Sequence, residues 1–138
     1  MANEALVESV KGIMGRAKKG GVDAGYQGYR DLFASQAFAG YRVEDQRQVL
    51  KLMVLMKGAP NPPSKAMIEA HKTILALLEE MVSTYREPAD HELLGICHAV
   101  LGDEPAASVV FRAGLALERE RDPQSKLCGT LMRRVSMV

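Results

Sequence analysis

Residues 89–123 read ADHELLGICHAVLGDEPAASVVFRAGLALERERDP, and the fold is decided by how this stretch is read. Leu94-Gly95, then Ala107, then Phe111 fall at spacings that suit two antiparallel helices joined by a tight turn. Gly95 and Ala107 carry almost no side chain, so two helix backbones can approach closely at those positions. Phe111, one turn beyond Ala107, fills the space that opens there. Asp90 and Asp103 are placed to cap the two helices, and Pro105 fits the first turn of the second. A hairpin of this kind buries one face internally and leaves another apolar face that a neighbour must cover.

The same residues resemble a tetratricopeptide repeat. That pattern runs aromatic-x2-Leu-Gly-x2-aromatic, then Ala-x3-Phe, then a late Pro. Here it reads His91-x2-Leu94-Gly95-x2-His98, then Ala107-x3-Phe111, with Leu101-Gly102-Asp103 at the turn and Pro123 closing. The stretch departs from the pattern in three places. His91 and His98 take the two ring positions, Gly114 stands where the family has Ala, and Pro123 comes about one turn late. The second helix is therefore expected to extend through Glu118-Arg119-Glu120. The resemblance implies an all-α chain of antiparallel helical hairpins, about seven helices, stacked as a short right-handed superhelix.

Working outward, an apolar pattern of Leu6, Val7, Val10, Ile13, Met14 and Ala17 starts at Asn3-Glu4 and stops at Lys18-Lys19-Gly20-Gly21. Asp23 is placed to cap a second helix carrying Tyr26, Tyr29, Leu32 and Phe33. Gly25-x3-Tyr29 echoes Ala107-x3-Phe111, and Gly20 echoes Gly102. Residues 35–41 read as a loop pinned by Phe38 and Tyr41. Glu44 and Asp45 suit the first turn of a third helix. Its apolar face is Val49, Leu50, Leu52, Met53, Val54 and Met56, and Lys57-Gly58 ends it. Three prolines in residues 59–63 forbid helix there. Ser64 caps a long helix to about Tyr85, in which Ala70-x3-Ile74 is a third echo. Ser125 caps a last helix with Leu127, Leu131, Met132 and Val135. The expected layout is one helical-repeat domain over residues 1–138, with hairpins at about 3–34, 43–85 and 89–121 and a capping helix at about 124–136.

Composition narrows the function classes. The chain has 138 residues, 47% hydrophobic and 25% charged, enough for a modest core and ordinary for a globular protein. A net charge of +1 supplies no field for nucleic acid or an acidic membrane. The basic pairs Lys18-Lys19 and Arg133-Arg134 are sparse and lack aromatic stacking partners. Without Trp, the core must rely on aliphatics and eight Met, which suits helix-on-helix packing. No apolar stretch reaches membrane-spanning length, and Glu8, Lys11 and Arg16 interrupt the first apolar run, so neither a span nor a secretory leader is expected. Cys97 and Cys128 form no close pair and read as reduced, structural thiols of a cytoplasmic, bacterial-type chain.

The sequence offers little catalytic chemistry. His91 and His98 share a helix face two turns apart, but a metal would require further ligands, so they are read as packing residues and no metal or cofactor is expected. His71 stands alone. No phosphate loop or nucleophile elbow is present, and no catalytic residue is assigned. Arg133-Arg134-Val135-Ser136 resembles a basophilic kinase site, making Ser136 a candidate phosphosite. The family resemblance implies a non-catalytic scaffold that takes a protein or peptide partner in its groove. Gln46, Arg47, Lys51 and Met53 would line that groove from the third helix, and Glu92, Ile96, Ala99 and Val100 from the strong repeat. A two-asparagine carboxylate clamp is not expected, since only Asn3 and Asn61 are available. A self-associating helical bundle, hence a homodimer, is the alternative, followed by a small ligand- or metal-binding protein.

Overall fold

The computed structural model describes residues 3–138, all of them in helices or the turns between them. Among the described residues there are eight helices and no strand: α1 Glu4–Gly20, α2 Val22–Ala34, α3 Gln36–Ala39, α4 Val43–Val54, α5 Lys65–Tyr85, α6 Pro88–Val100, α7 Glu104–Arg121 and α8 Lys126–Met137. The chain forms two compact units, residues 1–74 and 75–138, with the boundary inside α5.

In the first unit, Asn3 caps α1 by accepting from the backbone N–H of Ala5 at 2.8 Å and Leu6 at 3.3 Å. α1 stops at Gly21, whose φ of 90° is a conformation that side-chain-bearing residues resist. The turn glycine that matches Gly102 (φ 83°) is thus Gly21, one residue later than the sequence echo, and Gly58 (φ 78°) is the third. Gly21 also begins α2 without a side-chain cap. Asp23 lies inside the first turn and accepts a hydrogen bond from Ser64 at 2.7 Å, so the expected cap at Asp23 is not formed. Ser64 caps α5 as read, accepting from Met67 N–H at 3.2 Å.

Two sequence boundaries shift. Residues 35–41 are not a plain loop. Ser35 accepts from Phe38 N–H and donates to the Leu32 carbonyl, nucleating the one-turn α3. Phe38 is buried and meets Phe33 edge-on at 5.0 Å between ring centroids, with Tyr41 at 6.2 Å. α4 ends at Val54, not at Lys57-Gly58. Met56 leaves the helix and lays its thioether end over Gly25 of α2. The buried set of this unit comprises Leu6, Val10, Ile13, Tyr26, Tyr29, Phe38, Leu50, Met53 and Ile74, together with their neighbours. Ala70 and Ile74, the third echo, are both fully buried.

In the second unit α6 starts earlier than the sequence indicated. Glu87 holds the cap position and Pro88 the first turn, so Asp90 is inside the helix and fully buried, not a cap. Asp103 caps α7 through Ala106 N–H at 3.1 Å, and Ser125 caps α8 through Cys128 N–H at 2.9 Å. α7 does run past Glu120, to Arg121.

The two slim positions lie inside the hairpin. A methyl group placed on Gly95 would overlap the Phe111 ring, and Ala107 is fully buried. Gly114 makes the reciprocal contact, because a Cβ there would come within 2.6 Å of His91 Cβ. This supplies the reason for glycine where the repeat pattern has alanine. Ala107, Phe111 and Leu115 then join Cys128 and Leu131 of α8 in one core cluster, with Ile96 packed on its side. Arg134 of α8 pairs with Glu92 of α6 at 3.0 Å, and Ser125 donates to Glu118 at 2.6 Å.

Candidate partner-binding surface

The first unit has an apolar groove between α1 and α4. Leu6, Val7 and Val10 form one wall, and Val49 and Leu52 the other, around about 130 Å³ of space. Lys11, Asp45 and Gln48 edge it. The groove leads along α4 into an open depression of about 440 Å³ at Gln48, Lys51, Leu52 and Leu55. Leu52 and Leu55 are 41% and 37% exposed, and Met14 on α1 is 48% exposed.

The cause is the helix period. On α4 the pairs Val49–Met53 and Leu50–Val54, each four apart, face inward and are buried. Leu52 lies about 100° round from Met53 and cannot share that face. Reading Leu52 as part of one apolar face with its neighbours overlooked this. The arc of apolar residues on α4 is too wide to bury at once, and that width was the available signal. Asp45 is nearly buried, with Arg42 Nε at 3.7 Å from its carboxylate.

The residues expected to face a partner are placed unevenly. Lys51 is exposed beside Leu52 and Leu55. Gln46 is buried, and its amide donates to the carbonyls of Phe38 at 3.1 Å, Ala39 at 3.3 Å and Tyr41 at 2.9 Å. It is an internal clasp for the end of α3, its amide nitrogen turned to the backbone and not to a partner. Arg47 is half-buried and Met53 fully buried. In the second unit, Glu92 is buried against Arg134, Ile96 packs on the core cluster, Val100 is half-buried and Ala99 is exposed. Of the pattern residues, His91, Leu94, Gly95, Ala107 and Phe111 are buried and His98 is half-buried.

Both cysteines and His71 are buried. Burial pushes the Cys97 thiol up to about 12, with the Glu79 charge adding to the effect, so it stays protonated at neutral pH. Cys128 is likewise a buried free thiol. His71 is fully buried beside Tyr26, 6.2 Å between ring centroids. Its Nδ1–H donates to the Met67 carbonyl at 2.8 Å, and burial lowers its pKa although that bond opposes the shift. Among the described residues no three His, Cys, Asp or Glu side chains converge as a metal site would need. Ser136 is exposed and donates to the Arg133 carbonyl at 2.7 Å. Of the two nearby guanidiniums, Arg134 is committed to Glu92, and Arg133 donates to Thr130 at 3.2 Å.

No helix among the described residues is long and apolar enough to cross a membrane. Comparison of the chain with protein-family models, with curated proteins and with solved structures finds no match.

Proposed function

We propose that this chain is a non-catalytic recognition scaffold, and that the α1–α4 groove receives a helix or peptide of a partner protein. The observation that carries the reading is the exposure of Leu52 and Leu55 at the end of an apolar groove. Covering each leucine would contribute about 1 kcal/mol, enough for a specific contact when combined with the groove walls. Lys51 and Gln48 beside them supply the polar rim usual at such surfaces.

On this proposal the hairpins belong to a tetratricopeptide-like right-handed stack working in the cytoplasm. In that family the first helices of successive hairpins line the binding groove, and we assign that role to α1 and α4. The protonated Cys97 and the carboxylates tied up by Arg134 and Ser125 favour a structural role over catalysis.

A photo-crosslinking residue at position 48 tests the reading in native lysate. A discrete adduct is expected that disappears in Leu52→Glu, with the helical content of that variant intact. Equal labelling with and without Leu52→Glu would defeat it. Self-association is the second reading, favoured by the same exposed leucines. It is recognised if the adduct is a dimer of the chain itself and sedimentation shows a mass that depends on concentration.

A further inference from the structure

The second unit contains an open cleft of about 570 Å³ between the end of α5, the start of α6 and the outer face of α7. Val82, Ala113, Ala116 and Leu117 form its floor, and Ser83, Arg86, His91 and Glu120 supply its polar groups.

His91 is nine-tenths buried, at 6% exposure. Its Nδ1–H donates to the Glu87 carbonyl at 2.8 Å, since a carbonyl can only accept. That bond commits Nδ1 to its own helix, while the residue lines the cleft. Nε2 has no hydrogen-bond partner among the described residues.

Arg86 is the second observation. Four described residues hold a left-handed backbone, and three of them are the turn glycines Gly21, Gly58 and Gly102. The fourth is Arg86, with φ 53°. A side chain in that conformation is disfavoured, and glycine would fit without strain. The chain keeps an arginine there, at the edge of the cleft. Arg86 ends α5, its N–H donating to the Val82 carbonyl at 3.0 Å, so the helix stop itself would be served as well by glycine, and the arginine adds a cation at the cleft edge.

The surrounding charges point the same way. Glu87 and Arg121, the chain neighbours of Arg86 and Glu120, pair with each other at 3.0 Å. Arg86 and Glu120 have no ion-pair partner among the described residues, although both line the cleft. They leave one cation and one anion for an incoming group to match.

We propose that this cleft is a second recognition site, for an extended peptide segment carrying an acidic and a basic residue close together. The acidic residue pairs with Arg86 and the basic residue with Glu120. A main-chain N–H donates to His91 Nε2, and a small apolar side chain rests on Ala113 and Ala116. The cleft is open along its length, which suits a polypeptide better than an enclosed small molecule.

The test is selection of random peptides displayed on phage against the full chain carrying Leu52→Glu, so that the α1–α4 groove does not compete. The enriched peptides are expected to share an acidic and a basic residue. Arg86→Glu should remove the acidic preference, and Glu120→Lys the basic one. A synthetic peptide of the enriched sequence should bind Arg86→Gly about tenfold more weakly or worse, the loss expected for one charge-assisted bond. The same variant should melt a few degrees higher, because the strain is gone. Weaker binding by a more stable protein separates recognition from unfolding. Absence of any consensus, a consensus unchanged by both charge reversals, or full affinity in Arg86→Gly would each overturn the proposal.

Discussion

The hairpins α1–α2 and α6–α7 use glycine for close approach in different ways. In α6–α7 the glycines face atoms that cannot yield: Gly95 lies under the ring of buried Phe111, and Gly114 meets His91 at its Cβ. In α1–α2, a Cβ on Gly25 would come within 3.0 Å of the Ala17 methyl, and one on Gly28 within 2.7 Å of an Arg16 guanidinium nitrogen and 2.9 Å of Ile13 Cγ1. Gly12 and Gly15 on α1 face nothing within 4 Å. Both hairpins come close at two glycines, most closely at Gly95, and α1 carries two further glycines that packing does not require. Small residues alone therefore do not mark a close approach; what matters is whether a group from the neighbouring helix stands opposite.

The largest effect expected from this contrast is at Gly95. Gly95→Ala should lose about 3 kcal/mol in chemical denaturation, because the Phe111 ring must leave its place in the core. Adding Phe111→Leu should recover part of that loss, and the coupling in a double-mutant cycle measures the interlock. Additive losses would mean that the two helices are not locked at this point.

A smaller effect of opposite sign is expected on α1. Gly12→Ala and Gly15→Ala should each stabilise by about 1 kcal/mol, since alanine favours helix and meets no neighbour. A thermal midpoint raised by about 4 °C for each substitution would show it. A fall would reveal a role for these glycines outside the packing of the chain.

The smallest effect concerns the histidines of the two units. His71 and His91 each donate Nδ1–H to the carbonyl four residues back, at 2.8 Å in both cases. His71 is sealed in the first unit, and its folded pKa lies below the ordinary 6.5. The unfolded chain then binds the proton more readily, so stability rises with pH between the folded and unfolded values. His71's contribution is complete above pH 6.5 and is lost as pH falls from there toward the lowered folded value. Thermal midpoints measured at about pH 7.5 and about pH 5 should diverge more in the native chain than in His71→Asn. Equal divergence would mean that His71 takes up its proton without penalty.

Much of the fold was legible because its signals are local. Asn3, Ser64, Asp103 and Ser125 cap helices with their own side chains, and the prolines of residues 59–63 exclude helix whatever surrounds them. Asp23 and Asp90 were misread as caps because Asp inside a first turn carries the same composition signal as Asp at the cap. The groove was less legible. Lys51 is at its edge, but Leu52 resembles a core residue until its neighbours claim the inner face. Gln46 and Glu92 look like surface polar groups, yet each is buried against a partner that no local pattern names.

By itself, the sequence determined that the chain is helical, where most helices start and stop, and that positions 95 and 107 must be slim. Those are properties of a few adjacent residues, set by backbone sterics and capping. Tertiary structure decided that Phe111 meets Gly95, that His91 meets Gly114, that Gln46 and Glu92 face inward, and that Leu52 stays outside. Each of those outcomes depends on which groups distant in the chain reach a shared face first, and a helix period cannot encode that competition.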